Sequence, residues 1–234
     1  MPYAVQVEFR TASSFLVAYS VNLSRGGLFL ETDVEIPTGA AMTLDFSVPN
    51  GGITSLNGVV MWRRGVEQAA EGPPGLGVEF QDVAPQLGAL IDRLVIGFRG
   101  VQILLLSGDR QDRTSLARNV KSILSTAEIT QAADHNVAAS VIAPEIDVAI
   151  VDVDFDLEGA LEIIRKAKAQ NPPVPAIALS SNPAHREAAL AAGADELISN
   201  PPPFAELQVV LVRALGKPMS IRQLEQSGGV DVDL

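Results

Sequence analysis

The spacing of apolar residues changes near Gly100, and this change constrains the fold more than any other feature of the chain. Before Gly100, short runs of alternating apolar and polar residues are separated by turn residues, which is typical of β-strands. After Gly100, short apolar runs alternate with stretches at helical spacing. We therefore predict two domains, over residues 1–99 and 100–217, followed by a flexible tail over 218–234.

Composition and charge exclude several classes of protein. Apolar residues make up 47% of the chain, which excludes a wholly disordered protein. The net charge of −11 argues against broad nucleic-acid or anionic-membrane binding, because both partners repel a negative surface. The absence of Cys excludes thiolate metal sites, and two His are too few for most zinc sites. Without a membrane-length apolar segment or a signal-peptide pattern, we expect a cytoplasmic protein.

The first domain is predicted to be a small antiparallel β-barrel with a C-terminal helix. Its strands are expected within residues 4–9, 15–21, 28–30, 42–46, 57–62 and 75–80. Apolar residues at helical spacing then predict an amphipathic helix over 85–98 that covers the barrel. Trp62 ends an apolar run, so we expect its side chain in the core.

The second domain is predicted to be an α/β domain of five strand–helix pairs, (βα)5. Its strands are expected near residues 101–106, 129–132, 148–153, 176–179 and 196–198. Strands that alternate with helices in this way pair in parallel and carry helices on both faces. Ligands of such sheets lie beyond the carboxyl ends of the strands.

A motif in the first domain carries a resemblance to a known family. The segment Asn22-Leu23-Ser24-Arg25-Gly26-Gly27 has the form Asn/Asp-x-Ser-x-x-Gly. With the tryptophan-ended run 59–62, the Gly-x-Gly-Val-Glu-Phe run 75–80 and the covering helix, it resembles the PilZ domain over residues 1–98. The resemblance implies binding of the bacterial second messenger cyclic di-GMP. The candidate contacts in this chain are Asn22, Ser24, Arg25, Gly27 and Arg10.

The chain departs from the PilZ pattern where the family carries an Arg-x-x-x-Arg segment that holds the phosphates of the ligand. No Arg or Lys precedes Val7, and Arg10 stands alone. Two lost charge-assisted contacts, at about 1.5–3 kcal/mol each, would weaken binding by roughly two to four orders of magnitude. We therefore also consider that Asn22, Ser24 and Gly27 only build a tight turn.

The strand–helix pattern of residues 101–217 resembles the receiver domain of two-component signalling. This resemblance implies a flavodoxin-like fold with strand order 2-1-3-4-5. It also makes Asp152 the equivalent of the phosphoacceptor, and Ser180 and Asn200 the equivalents of the family's two switch positions.

Three positions of the receiver pattern have lost their charge, two after the first strand and one after the fifth. Where the family holds Mg²⁺ with a pair of acids, this chain has Ser107 and Gly108, with Asp109 one position late. The family's Lys-Pro is replaced by Asn200-Pro201. Phosphoryl transfer to an aspartate needs a divalent ion and a cation for the transferred oxygens. We therefore expect a degenerate receiver, unless Asp109 or Asp154 supplies the missing metal ligand.

Taken together, these patterns predict a non-enzymatic bacterial signalling adaptor that needs no cofactor and acts through protein–protein contacts. We expect protein partners, among them a second copy bound through the receiver-like domain, and neither nucleic acid nor a membrane span. The alternative is an active response regulator that binds cyclic di-GMP, accepts a phosphoryl group at Asp152 with Mg²⁺, or does both. A small-molecule enzyme is disfavoured because the loops after the strands hold no acid–base pair other than carboxylates, and fold alone assigns no function.

Overall fold

A computed structural model of the chain describes residues 3–22, 27–49, 51–71, 73–81 and 85–224. The chain forms two compact units, of which one holds Phe98–Lys217 and the other holds the residues before and after that segment. The second unit is therefore inserted into the sequence of the first. Among the described residues, no helix has both the length and the apolar character that crossing a membrane requires.

The elements follow one another along the chain as two series. The first unit begins with β1 (Tyr3–Glu8), α1 (Ala12–Asn22), β2 (Gly27–Glu31), β3 (Ala41–Val48), β4 (Gly52–Arg64), a 3-10 helix (Val66–Glu71), β5 (Gly75–Phe80) and α2 (Pro85–Ile96). The inserted unit contains β6 (Val101–Leu106), α3 (Arg110–Ile123), β7 (Ala127–Ala132), α4 (His135–Val141), β8 (Val148–Asp152), α5 (Leu157–Lys168), β9 (Ala176–Leu179), α6 (Pro183–Ala191), β10 (Glu196–Ile198) and α7 (Phe204–Gly216). The chain then returns to the first unit as β11 (Ser220–Gln223).

In the described residues of the first unit, six strands form a sheet, which we call sheet A, in the order β11-β1-β3-β4-β5-β2. Its neighbouring strands are antiparallel except β1 and β3, which run parallel. The expected small β-barrel is thus supported in part, while its wholly antiparallel arrangement was wrong. The predicted covering helix corresponds to α2, which buries Leu87, Leu90 and Leu94 in the core of this unit.

Helix α1 replaces the strand that we predicted over residues 15–21. Its start explains the difference, because Thr11 and Ser14 form reciprocal hydrogen bonds. The backbone N–H of Ser14 donates to Thr11 Oγ1, and the backbone N–H of Thr11 donates to Ser14 Oγ, both at 3.1 Å. These bonds satisfy two backbone donors that the first helical turn leaves without partners. Local capping therefore outweighs the alternating pattern of the sequence.

Trp62 does not lie in the core, as we had expected, but is 44% exposed. Its indole lies against Gly77 of β5, where a Cβ atom would come within 2.1 Å of Trp62 Nε1. The ring also stacks on Phe29, with 5.2 Å between the centroids and 8° between the planes. The lack of a side chain at Gly77 therefore leaves room for the indole on the outer face of sheet A.

Five parallel strands form the sheet of the inserted unit, which we call sheet B, in the order β10-β9-β8-β6-β7. Counted from the first strand of the unit, this is the flavodoxin-like order 2-1-3-4-5. Strands β8 and β9 are buried along their whole length. Helices must therefore cover both faces of the central strands, and this is the reason for their apolar sequences.

Strand β11 lies in the segment that we had predicted to be a flexible tail. It pairs antiparallel with β1, with Val7 opposite Ile221 and Gln6 opposite Arg222. Ile221 packs against the core of the first unit. Edge pairing of this kind joins residues more than two hundred positions apart, so a local pattern does not reveal it. Residues 225–234, the rest of the predicted tail, lie outside the described residues.

The capping of α1 can be tested with Thr11→Ala, which removes the hydroxyl that accepts the N–H of Ser14. We expect the free energy of unfolding to fall by about 1 kcal/mol, the usual cost of a lost N-cap. Urea unfolding followed by circular dichroism measures this change. Thr11→Ser keeps the capping oxygen and should retain most of the stability; equal losses in the two variants would contradict the capping role.

Candidate functional site

The carboxylate of Asp152 lies at the carboxyl end of β8, at the edge of sheet B where ligands of such sheets are bound. The residue is 7% exposed. The Ser107 hydroxyl donates to Asp152 Oδ2 at 3.1 Å, and Asn200 Nδ2 donates to Oδ1 at 2.9 Å. The backbone N–H of Asp154 also donates to Oδ1, at 3.0 Å. Three predicted site residues, Ser107, Asp152 and Asn200, are thus brought together.

Burial raises the pKa of Asp152 above the usual value for an aspartate. The hydrogen bonds from Asp154, Ser107 and Asn200 oppose this effect, because they stabilise the charged form, and the nearby carboxylate of Asp154 adds to it. All three donors are neutral groups. The ionised carboxylate is therefore held without a cation among these contacts.

Asp154 lies two residues further on and gathers a second set of donors. Ser180 Oγ donates to Asp154 Oδ1 at 2.6 Å, and the backbone N–H of Ser181 donates to Oδ2 at 3.2 Å. His185 Nδ1 lies 2.8 Å from Oδ1. Burial opposes ionisation, but these hydrogen bonds together hold the pKa of Asp154 below its usual range. Ser180, the predicted switch residue, is therefore bonded to Asp154.

The loop between β6 and α3 contains the positions at which a receiver would hold its metal. Asp109 caps α3, since its Oδ1 accepts the backbone N–H groups of Gln111 and Asp112 at 2.7 and 2.9 Å. At Gly108 a Cβ atom would come within 2.1 Å of the Phe155 ring. Arg113 Nη1 donates to the carbonyl oxygen of Ser107 at 2.6 Å. The residues of this loop are thus engaged by the capping of α3, by the Phe155 ring and by the Arg113 guanidinium.

The donor set does not fit a divalent metal ion. Within the part of the chain that the structure describes, no three His, Asp or Glu side chains come together in a group that could hold one. Asp109 is engaged with its own helix, and Asp154 with Ser180 and His185. Asp154 is the charged group that acts on Asp152 from nearby, and the hydrogen-bond donors to Asp152 described above are neutral, whereas Mg²⁺ favours several oxygen ligands with negative charge.

In the first unit, the Asn22–Gly27 motif is only partly described. Ser24 and Arg25 lie outside the described residues, as does the side chain of Asn22, whose backbone ends α1. Gly27 begins β2, and a Cβ atom there would lie 2.5 Å from the carbonyl oxygen of Val78. Glycine is therefore required at position 27 for the pairing of β2 with β5. Arg10, the remaining candidate contact, follows β1 and is 6% exposed.

Residues 1–97 match the family model described as PilZ domain. They form a PilZ domain. The resemblance drawn from the Asn22–Gly27 motif and the run 75–80 is thereby confirmed, whereas the contacts of individual residues with a ligand stay predictions.

The remaining part of the chain is similar to solved receiver domains. About half of the chain, 50%, aligns with 99% of the signal receiver domain of a DNA-binding response regulator from Colwellia psychrerythraea 34H, at 17% identity and a TM-score of 0.45. The same share aligns with 99% of the receiver domain of a sensor histidine kinase from Pseudomonas aeruginosa PAO1, at 28% identity and a TM-score of 0.45. A chemotaxis response regulator of Vibrio cholerae is 20% identical, with 49% of this chain and 98% of that chain covered and a TM-score of 0.43. The comparison with curated proteins gives no match.

Outside the PilZ domain, sequence reasoning missed the arginines that hold the strand-end loops. Arg113 donates to the carbonyl of Ser107, and Arg186 Nη1 donates in the same way to the carbonyl of Ser180 at 3.0 Å. The signal is a pattern that occurs twice, Leu-Ser-x-Asp/Asn-x-x-x-Arg, at residues 106–113 and 179–186. In both copies the Asp or Asn caps the following helix. The spacing therefore brings each arginine back over the loop that it bonds.

Asp152→Asn tests whether the buried carboxylate costs stability. Because the pKa of Asp152 is raised in the folded state, ionisation disfavours folding, and stability is lost as the pH rises through that pKa. The amide is neutral at every pH, can accept from Asp154 and Asn200, and can donate to Ser107 Oγ. We expect the variant to be more stable than the wild type at pH 7, with the difference vanishing below about pH 4, near the unfolded pKa. Urea unfolding across this pH range measures it.

Asp154→Asn tests a carboxylate whose pKa is lowered in the folded state, whereas that of Asp152 is raised. The pKa of Asp154 is lowered on folding, so its charge stabilises the fold above the unfolded pKa, and this contribution is lost as the pH falls through the folded pKa. We expect this variant to be less stable than the wild type at pH 7. If the free energy of unfolding at pH 7 changed in the same direction in both variants, the opposite pKa shifts of Asp152 and Asp154 would be contradicted.

Proposed function

We propose that the protein is a non-enzymatic bacterial signalling adaptor, in which the PilZ domain and the receiver-like unit act through contacts with other proteins. The observation that carries this proposal is the closed network at Asp152. The chain itself supplies the donors to this carboxylate, namely a hydroxyl, a side-chain amide and a backbone N–H. A cytoplasmic location and a second copy as one partner belong to the same proposal.

Phosphoryl transfer would need charges that this site does not supply. An incoming phosphoryl group brings negative charge next to Asp152 and Asp154, and receivers offset it with a divalent ion and a lysine. Here Asn200 is neutral, and Gly108 is covered by the ring of Phe155. Arg113 already donates to the Ser107 carbonyl, so a metal ion near this loop would meet a fixed positive charge.

The position of arginine side chains in the PilZ domain supports the same proposal. Arg10, the arginine among the candidate contacts that lies in the described part of the chain, is buried. A ligand with two phosphates gains much of its affinity from guanidinium groups that bind both oxygens of a phosphate. A PilZ domain whose Arg10 stays buried keeps a folded surface for a protein partner while it offers cyclic di-GMP one guanidinium group fewer.

Calorimetry with beryllofluoride and Mg²⁺, the usual mimic of an aspartyl phosphate, tests the receiver-like unit. We expect no saturable heat for the wild type, because no three acidic or His side chains gather into a metal-binding group in the described part of the chain, and Asn200 is neutral. A micromolar isotherm that Asp152→Ala abolishes would instead support an active response regulator.

A variant that restores the missing charges serves as the positive control. Ser107→Asp, Gly108→Asp and Asn200→Lys reinstate the charges, and Phe155→Ala makes room for the new side chain at position 108. We expect this quadruple variant to gain a saturable heat with Mg²⁺ and beryllofluoride. Binding by the wild type as tight as that of the variant would contradict the proposed loss of function.

Calorimetry with cyclic di-GMP tests the PilZ domain separately. We expect no saturable heat at micromolar protein, given a loss of roughly two to four orders of magnitude in affinity from two missing charged contacts. An isotherm in the micromolar range that Ser24→Ala and Arg25→Ala both weaken would contradict this expectation. Arg222→Ala, an exposed arginine of β11 outside the motif, is the matched control for lost positive charge.

A further inference from the structure

One loop of the inserted unit holds a large apolar side chain in solvent. Phe155, which follows β8 in the loop before α5, is 64% exposed, whereas β8 itself is buried along its whole length. The ring lies against Gly108 of the loop between β6 and α3, where a Cβ atom would come within 2.1 Å of it. The ring is therefore in contact with the backbone of a neighbouring loop and yet stays largely in solvent.

The loop that carries Phe155 is fixed on both sides of this residue. The backbone N–H of Asp154 donates to Asp152 Oδ1 at 3.0 Å. On the other side, the side chain of Asp156 caps α5, and its Oδ2 lies 2.8 Å from His135 Nδ1 in α4. An apolar group that is already held in place loses little conformational entropy when a partner binds it. Phe155 therefore has the properties of a binding anchor, since aromatic residues are enriched at protein interfaces.

The segment around this anchor carries negative charge. Residues 152–158 contain no Lys or Arg and four acids, namely Asp152, Asp154, Asp156 and Glu158. The segment 107–113, which the ring contacts at Gly108, holds two acids and two arginines, so its formal charges balance. A negative surface attracts basic partners and repels acidic ones. The partner that fits Phe155 is therefore basic.

The two carboxylates next to Phe155 in the chain are charged at neutral pH. Hydrogen bonds from the backbone N–H of Gly159 and from His135 lower the pKa of Asp156. Burial opposes the ionisation of Asp154, but its hydrogen bonds outweigh burial, and its pKa is lowered as well. One negative charge thus precedes the aromatic ring in the chain and another follows it.

We propose that residues 154–158, which we call the Phe155 loop, are a docking site for a basic segment of a partner protein. The partner places an apolar side chain on the Phe155 ring and Lys or Arg side chains beside Asp154 and Asp156. This contact needs neither a metal ion nor a phosphoryl group. It names the surface through which the adaptor acts, and so it rests on the proposed function.

Fluorescence anisotropy of labelled peptides with the full-length protein tests the Phe155 loop. One probe is a short peptide with a central Leu between runs of Lys, and its counterpart carries Glu in place of every Lys. We expect saturable binding of the lysine peptide and at least about tenfold weaker binding of the glutamate peptide. Phe155→Ala should weaken binding of the lysine peptide about tenfold, a typical effect for an anchor residue. Ile53→Ala, which removes a 67% exposed apolar side chain of sheet A, is the matched control and should bind as the wild type does.

The contribution of charge is tested with Glu158→Gln, which removes an exposed carboxylate from the first turn of α5. We expect affinity for the lysine peptide to fall about twofold at low salt and less at high salt, because salt screens exposed charges. Glu145→Gln removes an exposed acid that lies before β8, outside the Phe155 loop, and should leave the affinity unchanged.

Three outcomes would each overturn the proposal: no binding of the lysine peptide up to about 1 mM, equal affinity for both peptides, or full affinity in Phe155→Ala. An NMR titration of the wild type needs no variant, and the lysine peptide should shift the amides of Gly108, Asp154 and Phe155 more than those of sheet A. The reverse order would also overturn the proposal. A beryllofluoride isotherm would contradict the adaptor function and leave these results unchanged, so the two failures are distinguishable.

Discussion

The candidate site of the inserted unit is arranged around a buried carboxylate, that of Asp152. A buried charge is costly unless hydrogen bonds or an opposite charge compensate for it. Here a hydroxyl, an amide and a backbone N–H provide the compensation, and none of them carries a charge. The carboxylate is therefore satisfied without a ligand. A site that is complete in this way gains less from binding a metal ion than one whose donors are unpaired.

Positive charge is present at this edge of sheet B, but it is directed at the backbone. Arg113 and Arg186 donate to the carbonyl oxygens of Ser107 and Ser180, the residues that follow β6 and β9. Hydrogen bonds from a guanidinium to these carbonyls stabilise the strand-end loops in a single conformation. The same groups repel an incoming cation. The same two hydrogen bonds thus stabilise the loops and place a fixed positive charge beside them.

Most features of the fold that depend on local periodicity and strand order were predicted correctly from the sequence. Three site residues lie at or just after the ends of different strands, namely Ser107, Asp152 and Asn200. Parallel strands bring such residues to one edge of a sheet. The proximity of the three side chains was therefore predictable. Helix α1 was missed because two hydroxyls, on Thr11 and Ser14, decide between helix and strand. Strand β11 was missed because its pairing with β1 joins distant parts of the chain. Neither effect appears in the spacing of apolar residues.

The return of the chain to sheet A makes the fold of the first unit depend on residues from both sides of the inserted unit in the sequence. Strand β11 pairs with β1, and Ile221 packs against the core of the first unit. The edge of sheet A at β1 is therefore completed only by residues that follow Lys217. The match of residues 1–97 to the PilZ family thus covers strands β1 to β5 but not β11, although β11 belongs to the same sheet.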